Sequence, residues 1–340
     1  MKILITGSAG FIGFHLCLKL IKDGFNVVGF DNLNNYYDKS LKEARLQELY
    51  LAKQKYKTNF TFIKGSLESF KSLEKLFKDN KPNCVINLAA QAGVRYSLED
   101  PFTYIQSNIV GFGNLIELSK RNEVENFLYA SSSSVYGGNT KMPFQENAEV
   151  GHPISLYAAT KRSNELIAHT YSNLYNLPAT GLRFFTVYGP WGRPDMALFM
   201  FTKAINEDKP INVFNNGKMM RDFTYISDVV ESVKRLIYKP AIPSLDFDKE
   251  SPDPSKSWAP HRIFNIGNSK PTFLMDYIAA IEKCLNKKAK INFLPMQLGD
   301  VKATYADTSA LESCINFKPN TSIEDGISKF VDWYIDFYGN

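Results

Sequence analysis

Lys2-Ile3-Leu4-Ile5-Thr6-Gly7-Ser8-Ala9-Gly10-Phe11-Ile12-Gly13 opens the chain as an apolar run followed by three glycines spaced three apart. An amphipathic stretch comes next, then a second apolar run ending Val27-Val28-Gly29-Phe30-Asp31. Strand, glycine turn, helix, second strand and terminal acid, in that order, make a dinucleotide-binding βαβ unit. Gly7 allows the tight turn, Gly10 lets the backbone approach a pyrophosphate at the helix N-terminus, and Gly13 lets the helix pack closely on the strand. Asp31 is placed to accept hydrogen bonds from the adenosine ribose hydroxyls, and a 2′-phosphate there would meet like charge. No Arg or Lys follows at once, since Asn32-Leu33-Asn34 come next. The unit therefore reads as binding NAD rather than NADP.

Outward from this unit, strand and helix signals alternate. Phe60–Ile63, Cys84–Leu88, Phe127–Ala130 and Ala179–Arg183 read as strands. Ser69–Asp79, Tyr104–Arg121 and Leu156–Tyr175 read as helices. Continuously apolar strands alternating with helices predict a parallel, doubly wound Rossmann sheet. After about Tyr188 the regular alternation is lost. The expected organisation is an NAD-binding domain over 1–187 and a smaller, mixed α/β substrate lobe over 188–340, some of whose segments return to the first domain. Residues 240–261, rich in Pro, Ser and Asp, read as a surface excursion because the strand-like Arg262–Ile266 follows.

Composition narrows the class. The 340 residues carry a net charge of +5 with scattered lysines, which make no basic stripe for nucleic acid. No apolar run approaches a membrane span and the first residues enter directly into a strand, so neither membrane nor signal peptide is expected. Cys17, Cys84, Cys284 and Cys314 are far apart, as reduced thiols in the cytoplasm would be. The four histidines show no metal-ligand spacing, so no metal is expected.

The chemistry centres on Tyr157-Ala158-Ala159-Thr160-Lys161, which puts a phenol and an ammonium four apart on one helix face. A free tyrosine, with a pKa of about 10, is a poor base at neutral pH. A neighbouring ammonium and the positive nicotinamide ring favour the phenolate. Such a base removes a hydroxyl proton while hydride leaves the same carbon. Ser131-Ser132-Ser133-Ser134-Val135-Tyr136-Gly137 follows a predicted strand, at the sheet end where ligands bind, and supplies a hydroxyl to share that proton.

Taken together, the Gly-x-x-Gly-x-x-Gly turn, Asp31, the Ser-Ser-Val-Tyr-Gly turn and the Tyr157/Lys161 pair resemble the extended short-chain dehydrogenase/reductases, specifically the nucleotide-sugar epimerases. The resemblance continues through Leu182–Pro190, Arg221–Ile226, Gly299-Asp300 and Ala306-Asp307, nearly the whole chain. It implies Tyr157 as base, Lys161 as its electrostatic partner and Ser132 as the proton-sharing hydroxyl. It implies cofactor contacts from Gly7, Gly10, Phe11, Ile12, Gly13, Asp31, Asn32, Ser66, Leu67, Leu88, Ala89, Ala90, Gln91 and Asn108, together with Tyr157 and Lys161. Substrate contacts fall to Arg95, Ser132, Ser133, Thr186, Arg193, Arg221, Gln297 and Asp300, with Arg221 as a diphosphate-binding arginine. Two departures stand out. Ser66 replaces an Asp that many relatives place near the adenine, which predicts weaker recognition of the base without a change of cofactor class. Gln297 replaces a second phosphate-binding arginine, for which Arg95 is the available substitute. The resemblance also implies a homodimer built on the Tyr157 helix and the one before it, and a role in polysaccharide biosynthesis.

Relatives that dehydrate the sugar carry Asp-Glu where Ser133-Ser134 stand, and relatives that decarboxylate UDP-glucuronate carry Glu at Ser134. Hydroxyls at both positions leave a 4-keto sugar to take its hydride back, which is epimerisation at C4. Trp191–Ala197 and Ala90–Ser97 resemble the UDP-glucuronate 4-epimerases. An arginine fork at Arg193 with the Thr186 hydroxyl suits a C6 carboxylate. Oxidation at C4 makes a β-keto acid that loses CO₂ readily, so holding that carboxylate off the carbonyl π system suppresses the loss. The plainer reading is that Arg193 closes a loop or pairs with Asp195. Reversible conversion of UDP-glucuronate to UDP-galacturonate is the expectation. The alternatives are 4-epimerisation of a UDP-N-acetylhexosamine or UDP-pentose, or a non-catalytic NAD-sensing protein of the same fold.

Overall fold

Residues 3 to 6, 27 to 31, 84 to 87 and 179 to 184 are buried without alternation, as strands covered on both faces must be. In the computed structural model, which describes every residue except Leu298 and Asn340, these runs form the centre of one parallel sheet. The first half of the chain runs β1 (Lys2–Thr6), α1 (Phe11–Lys22), β2 (Asn26–Asp31), α2 (Lys39–Tyr56), β3 (Phe60–Lys64), α3 (Phe70–Asn80) and β4 (Cys84–Asn87). Two single turns, α4 (Tyr96–Glu99) and α5 (Pro101–Tyr104), lead to α6 (Gly111–Arg121), β5 (Asn126–Ser132), α7 (Leu156–Tyr175) and β6 (Ala179–Phe184). The second half comprises β7 (Thr186–Tyr188), α8 (Ala197–Asn206), β8 (Pro210–Val213), β9 (Met220–Tyr225), α9 (Ile226–Leu236), β10 (His261–Ile266), β11 (Pro271–Phe273), α10 (Leu274–Leu285), β12 (Lys290–Phe293), α11 (Ser309–Ile315) and α12 (Ile323–Tyr338).

The large sheet has the order β3-β2-β1-β4-β5-β6-β10, with every pair parallel. Alternate side chains of β1 serve the two layers. Ile3 and Ile5 pack with α1, α2 and α9, and Leu4 packs with α3, α6 and α7. Strand order reverses between β1 and β4, the switch point where a ligand crevice opens outside the strand ends. Register brings the parts together there, because Thr6 pairs with Phe30 on one side and with Asn87 on the other. Gly7, Asp31 and Leu88 thus begin the crevice side by side. The smaller sheets, β11-β9-β7 and β12-β8, belong to the second half.

One helix went unread and two expectations need revision. Helix α2 carries no strong apolar face and went unread, yet Leu41, Leu46, Leu49 and Ala52 bury one side of it. The stretch expected as one helix over Tyr104–Arg121 holds a π turn at Ile105–Val110 before α6. Strand β5 runs on to Ser132, so Ser131 and Ser132 are strand residues and the turn proper is a 3₁₀ segment, Ser133–Tyr136. β10, beyond residue 188, pairs with β6 in the first sheet.

A buried ion pair ties α7 to the sheet. Arg183 on β6 and Glu165 on α7 are both inaccessible to water. The arginine donates to the two carboxylate oxygens at 2.9 and 3.0 Å, and Ser131 Oγ donates to one of them at 2.6 Å. Burial pushes the Glu165 pKa up, but Arg183, Ser131 and Arg162 together hold it below the ordinary value. Arg183→Met takes the fork from that buried carboxylate and leaves it Arg162 at 2.9 Å and Ser131 alone, which costs about 3 kcal/mol. Urea denaturation should show this loss. Lys75→Met, which breaks the exposed Lys75–Asp79 pair on α3, should stay within about 1 kcal/mol of the parent.

Candidate active site

The glycine turn closes by Gly7 N–H donating to the Phe30 carbonyl at 2.8 Å and Gly10 N–H to the Gly7 carbonyl at 2.9 Å. Gly7 has φ +71°, and a Cβ on Gly13 would lie 2.1 Å from the Gly7 oxygen. Neither position tolerates a side chain. No side chain caps α1, whose first residues, Phe11 to Gly13, line a cavity of about 270 Å³ with Gly7 and Gly10. Asp31 accepts from Ala9 N–H at 3.1 Å and Leu33 N–H at 2.8 Å, so it holds the turn from behind while facing the cavity. An uncapped helix N-terminus beside a glycine cradle, with a carboxylate at the next strand end, fits a dinucleotide.

Asn32, Ser66, Leu67, Leu88, Ala89, Ala90 and Gln91 line the same cavity. Asn108 does not. It is buried in the π turn, accepting from Gln91 N–H at 2.9 Å and donating to the Gln91 carbonyl and to Thr160 Oγ1. Its place is behind Gln91, positioning that backbone rather than lying along a cofactor. Several lining residues were not singled out from the sequence, among them Tyr36, Tyr37, Lys42 and Glu68. Lys42 lies on the unread helix α2, its Nζ donating to Asn34 at 2.8 and 2.7 Å. The Asn34-Asn35-Tyr36-Tyr37 cluster directly after Asp31 was the available signal.

At the other end of the cavity stand Ser132, Tyr157, Lys161 and Arg193. Ser155 caps α7 by accepting from Ala158 N–H at 3.1 Å, which fixes the first turn where Tyr157 sits. Lys161 Nζ donates to the Ala130 carbonyl at 2.9 Å, 5.9 Å from the Tyr157 ring centroid, and burial lowers its pKa to about 8. Burial raises the Tyr157 pKa, opposed by the Ser132 hydroxyl and by the charge of Arg193. Ser132 Oγ also accepts from Ser134 N–H at 3.1 Å. Ser133 follows it in the 3₁₀ turn, off the cavity wall.

Arg193 forms a fork with Asp195, at 3.0 Å from Nε and 2.5 Å from Nη2, and Tyr36 donates to the same carboxylate at 3.1 Å. The pair with Asp195 is the plainer of the two sequence readings of Arg193, and the side chain also lines the cavity. Thr186 lies off the large cavity, in a small apolar recess that Arg193 shares. The remaining substrate candidates gather where Arg95, from the loop before α4, meets the second half. Arg95 pairs with Asp300 at 2.9 Å and lies over the Phe214 ring. Burial lowers the Arg221 pKa, with Asp300 opposing and Arg95 adding to it. The Gln297 Oε1 atom is buried without a partner. Two cations, a carboxylate and an amide are thus brought together across some two hundred residues of sequence. Among the described residues no group of acids, thiols and imidazoles is gathered to hold a metal. Among the described residues no helix is long and apolar enough to cross a membrane.

Fold and site define the class as an NAD-binding short-chain dehydrogenase/reductase of the extended type. The profile of the NAD dependent epimerase/dehydratase family matches residues 3–245. The chain belongs to that family. It is 58% identical to Protein CapI of Staphylococcus aureus over 338 residues, 99% of each chain. It is 46% identical over 342 residues to a probable UDP-glucuronate 4-epimerase of Rhizobium meliloti, covering 99% of this chain and 98% of that one. Its structure is similar to the UDP-glucuronic acid 4-epimerase of Bacillus cereus in complex with UDP-glucuronic acid and NAD. There the TM-score is 0.87 at 35% identity, covering 99% of this chain and all of the other.

Tyr157→Phe removes one hydroxyl and leaves the ring that packs edge-on against Tyr104 at 6.1 Å. Retention of NAD should be unchanged, while turnover should fall by about 10²–10⁴. Parallel NAD-content and turnover measurements check this, and near-parental turnover would remove Tyr157 as the base.

Proposed function

We propose that the protein interconverts UDP-glucuronate and UDP-galacturonate by reversible inversion at C4. The observation that carries the reading is a cavity wall on which Ser132, Tyr157 and Lys161 face Arg193, followed by a turn with hydroxyls alone at Ser133 and Ser134. Bound NAD supplies the acceptor, and later the donor, of the C4 hydride. Tyr157 takes the O4 proton as that hydride leaves, Ser132 shares the proton, and Lys161 lends positive charge to the developing phenolate. Asp31 holds the adenosine ribose, the Gly7–Gly13 turn takes the pyrophosphate, and Gln91, backed by Asn108, lines the nicotinamide half. Arg221, Arg95 and Gln297, with Asp300 orienting Arg95, hold the UDP diphosphate as a pivot. The 4-keto sugar turns about that pivot to present its other face. No carboxylate follows Ser132 to drive elimination, so the hydride returns and Tyr157 gives the proton back.

Arg193 and Thr186 receive the C6 carboxylate in this reading. Asp195 holds the guanidinium fork until substrate arrives and keeps its donors pointed into the site. The biological unit in this proposal is a homodimer that buries the outer faces of α4 to α7. Support comes from apolar side chains left in water there, with Phe102 79% and Leu174 62% exposed and Leu98 and Leu166 also more than half exposed. A cytoplasmic enzyme making a charged sugar donor for polysaccharide synthesis suits the free thiols and the NAD and UDP-sugar pools it would draw on.

Turnover of UDP-glucuronate carrying deuterium at C4 tests the reaction directly. NMR should show UDP-galacturonate with the label retained, and near-ultraviolet absorbance should show no stoichiometric NADH. Free NADH or a pentose product would make the protein a dehydrogenase or decarboxylase. No change in any uronate, beside turnover of an N-acetylated or pentose UDP-sugar, would reassign the substrate.

Arg193→Ala should cost about 1.5–3 kcal/mol, or one to two decades in kcat/KM, on UDP-glucuronate. It should have little effect on any residual activity toward UDP-glucose, which has a hydroxymethyl at C6. Arg193→Ala/Asp195→Asn removes the repulsion of the orphaned carboxylate and should show the same selectivity. A UDP-pentose by-product should appear in both variants. Equal losses on both sugars, with no pentose, would make Arg193 a loop-closing residue.

A further inference from the structure

The cavity has two acidic residues on its wall among the described residues, Asp31 and Glu68. Asp31 is accounted for by the ribose and the glycine turn. Glu68 has no part in the chemistry above. It lies in the loop after β3, the strand beyond β2 in the sheet, where the cavity is also lined by Phe30, Gly65, Ser66 and Ser107. With the pyrophosphate at the α1 N-terminus and the ribose at the end of β2, the adenine falls beyond β2, over this loop.

The loop is built to hold that carboxylate still. Ser66 Oγ donates to Glu68 Oε2, and Ser107 Oγ, from the π turn, donates to Oε1 at 2.6 Å. Asn114 Nδ2 on α6 donates to the Leu67 and Glu68 carbonyls at 3.0 and 3.2 Å. An ionised carboxylate has about four acceptor positions, and the two hydroxyls occupy one on each oxygen. The remaining positions can take donors only. Adenine presents one exocyclic donor, its 6-amino group, and the Ser66 hydroxyl is already committed to Glu68.

We infer that Glu68 is a specificity-determining residue for the cofactor, accepting the adenine 6-amino group, with Ser66 and Ser107 positioning its carboxylate. A base with a carbonyl in place of that amine would set oxygen against oxygen. The inference concerns only the nucleotide end and does not depend on which sugar is turned over. Equilibrating the full-length protein with an equimolar mixture of NAD and nicotinamide hypoxanthine dinucleotide, then measuring the ratio retained, isolates the 6-position without reading activity. The parent protein should favour NAD by about tenfold to a hundredfold, the range of one charge-assisted hydrogen bond. Glu68→Ala should bring the ratio to about one. The near-isosteric Glu68→Gln, which keeps the loop filled, should shift it toward the hypoxanthine form, because the amide can donate to the 6-carbonyl. A parent ratio near one would overturn the inference, as would a preference that survives in both variants.

Discussion

The Glu165 carboxylate, out of water and clasped by Arg183, is the constraint on which the site depends. An uncompensated charge in that position is prohibitive, so the helix bearing Glu165 has one place on the sheet where it can rest. Arg183 is on β6, Ser131 is the penultimate residue of β5, and both bond to the same carboxylate. The interaction sets two strand ends and α7 in register. Tyr157 and Lys161 lie two turns and one turn before Glu165 on that helix, and Ser132 is one residue beyond Ser131. Their mutual placement follows from an ion pair that touches no ligand. Arg183 extends the fixture through Tyr136 to Asn265 on β10, so the outermost strand of the sheet is bound into the same network.

Electrostatics divides the cavity into two ends. At the nucleotide end carboxylates prevail, Asp31 and Glu68, both fixed by donors from the surrounding backbone or hydroxyls. At the sugar end cations prevail, and burial works against them. Lys161 is drawn down to about 8 by its loss of water, whereas Arg193, half-buried at the cavity wall, is kept charged by Asp195 and lies beyond any titration in water. This asymmetry matters for Tyr157. Burial holds the phenol in its protonated form, and the Ser132 hydroxyl and the Arg193 charge oppose that.

Much of the nucleotide end was legible from residue order. Glycines at 7, 10 and 13, the acid at 31, and the strand ends at 88 to 91 all come together because parallel strands in register deliver their C-termini to one edge. Reading failed where local pattern is weak. Helix α2 is polar along most of its length, and its one buried side includes Lys42 and Arg45, which no apolar period reveals. The π turn that sinks Asn108 behind Gln91 adds a residue to a helical turn without any glycine or proline to announce it. Glu68 gave no signal at all, since a lone acid after a strand is ordinarily solvent-facing.

Residue order alone carried the cofactor class, the alternation of the first strands and helices apart from α2, and the candidate set Ser132, Tyr157 and Lys161. Each of these rests on local chemistry: which residues accept a left-handed turn, which runs are apolar, which side chains fall on one helix face. Tertiary structure alone decided which charges meet. Arg95 with Asp300 and Arg183 with Glu165 are pairings among many that composition allowed. Packing selected them, because a buried charge is stable only where the fold brings it a partner, and spacing along the chain carries no record of that distance.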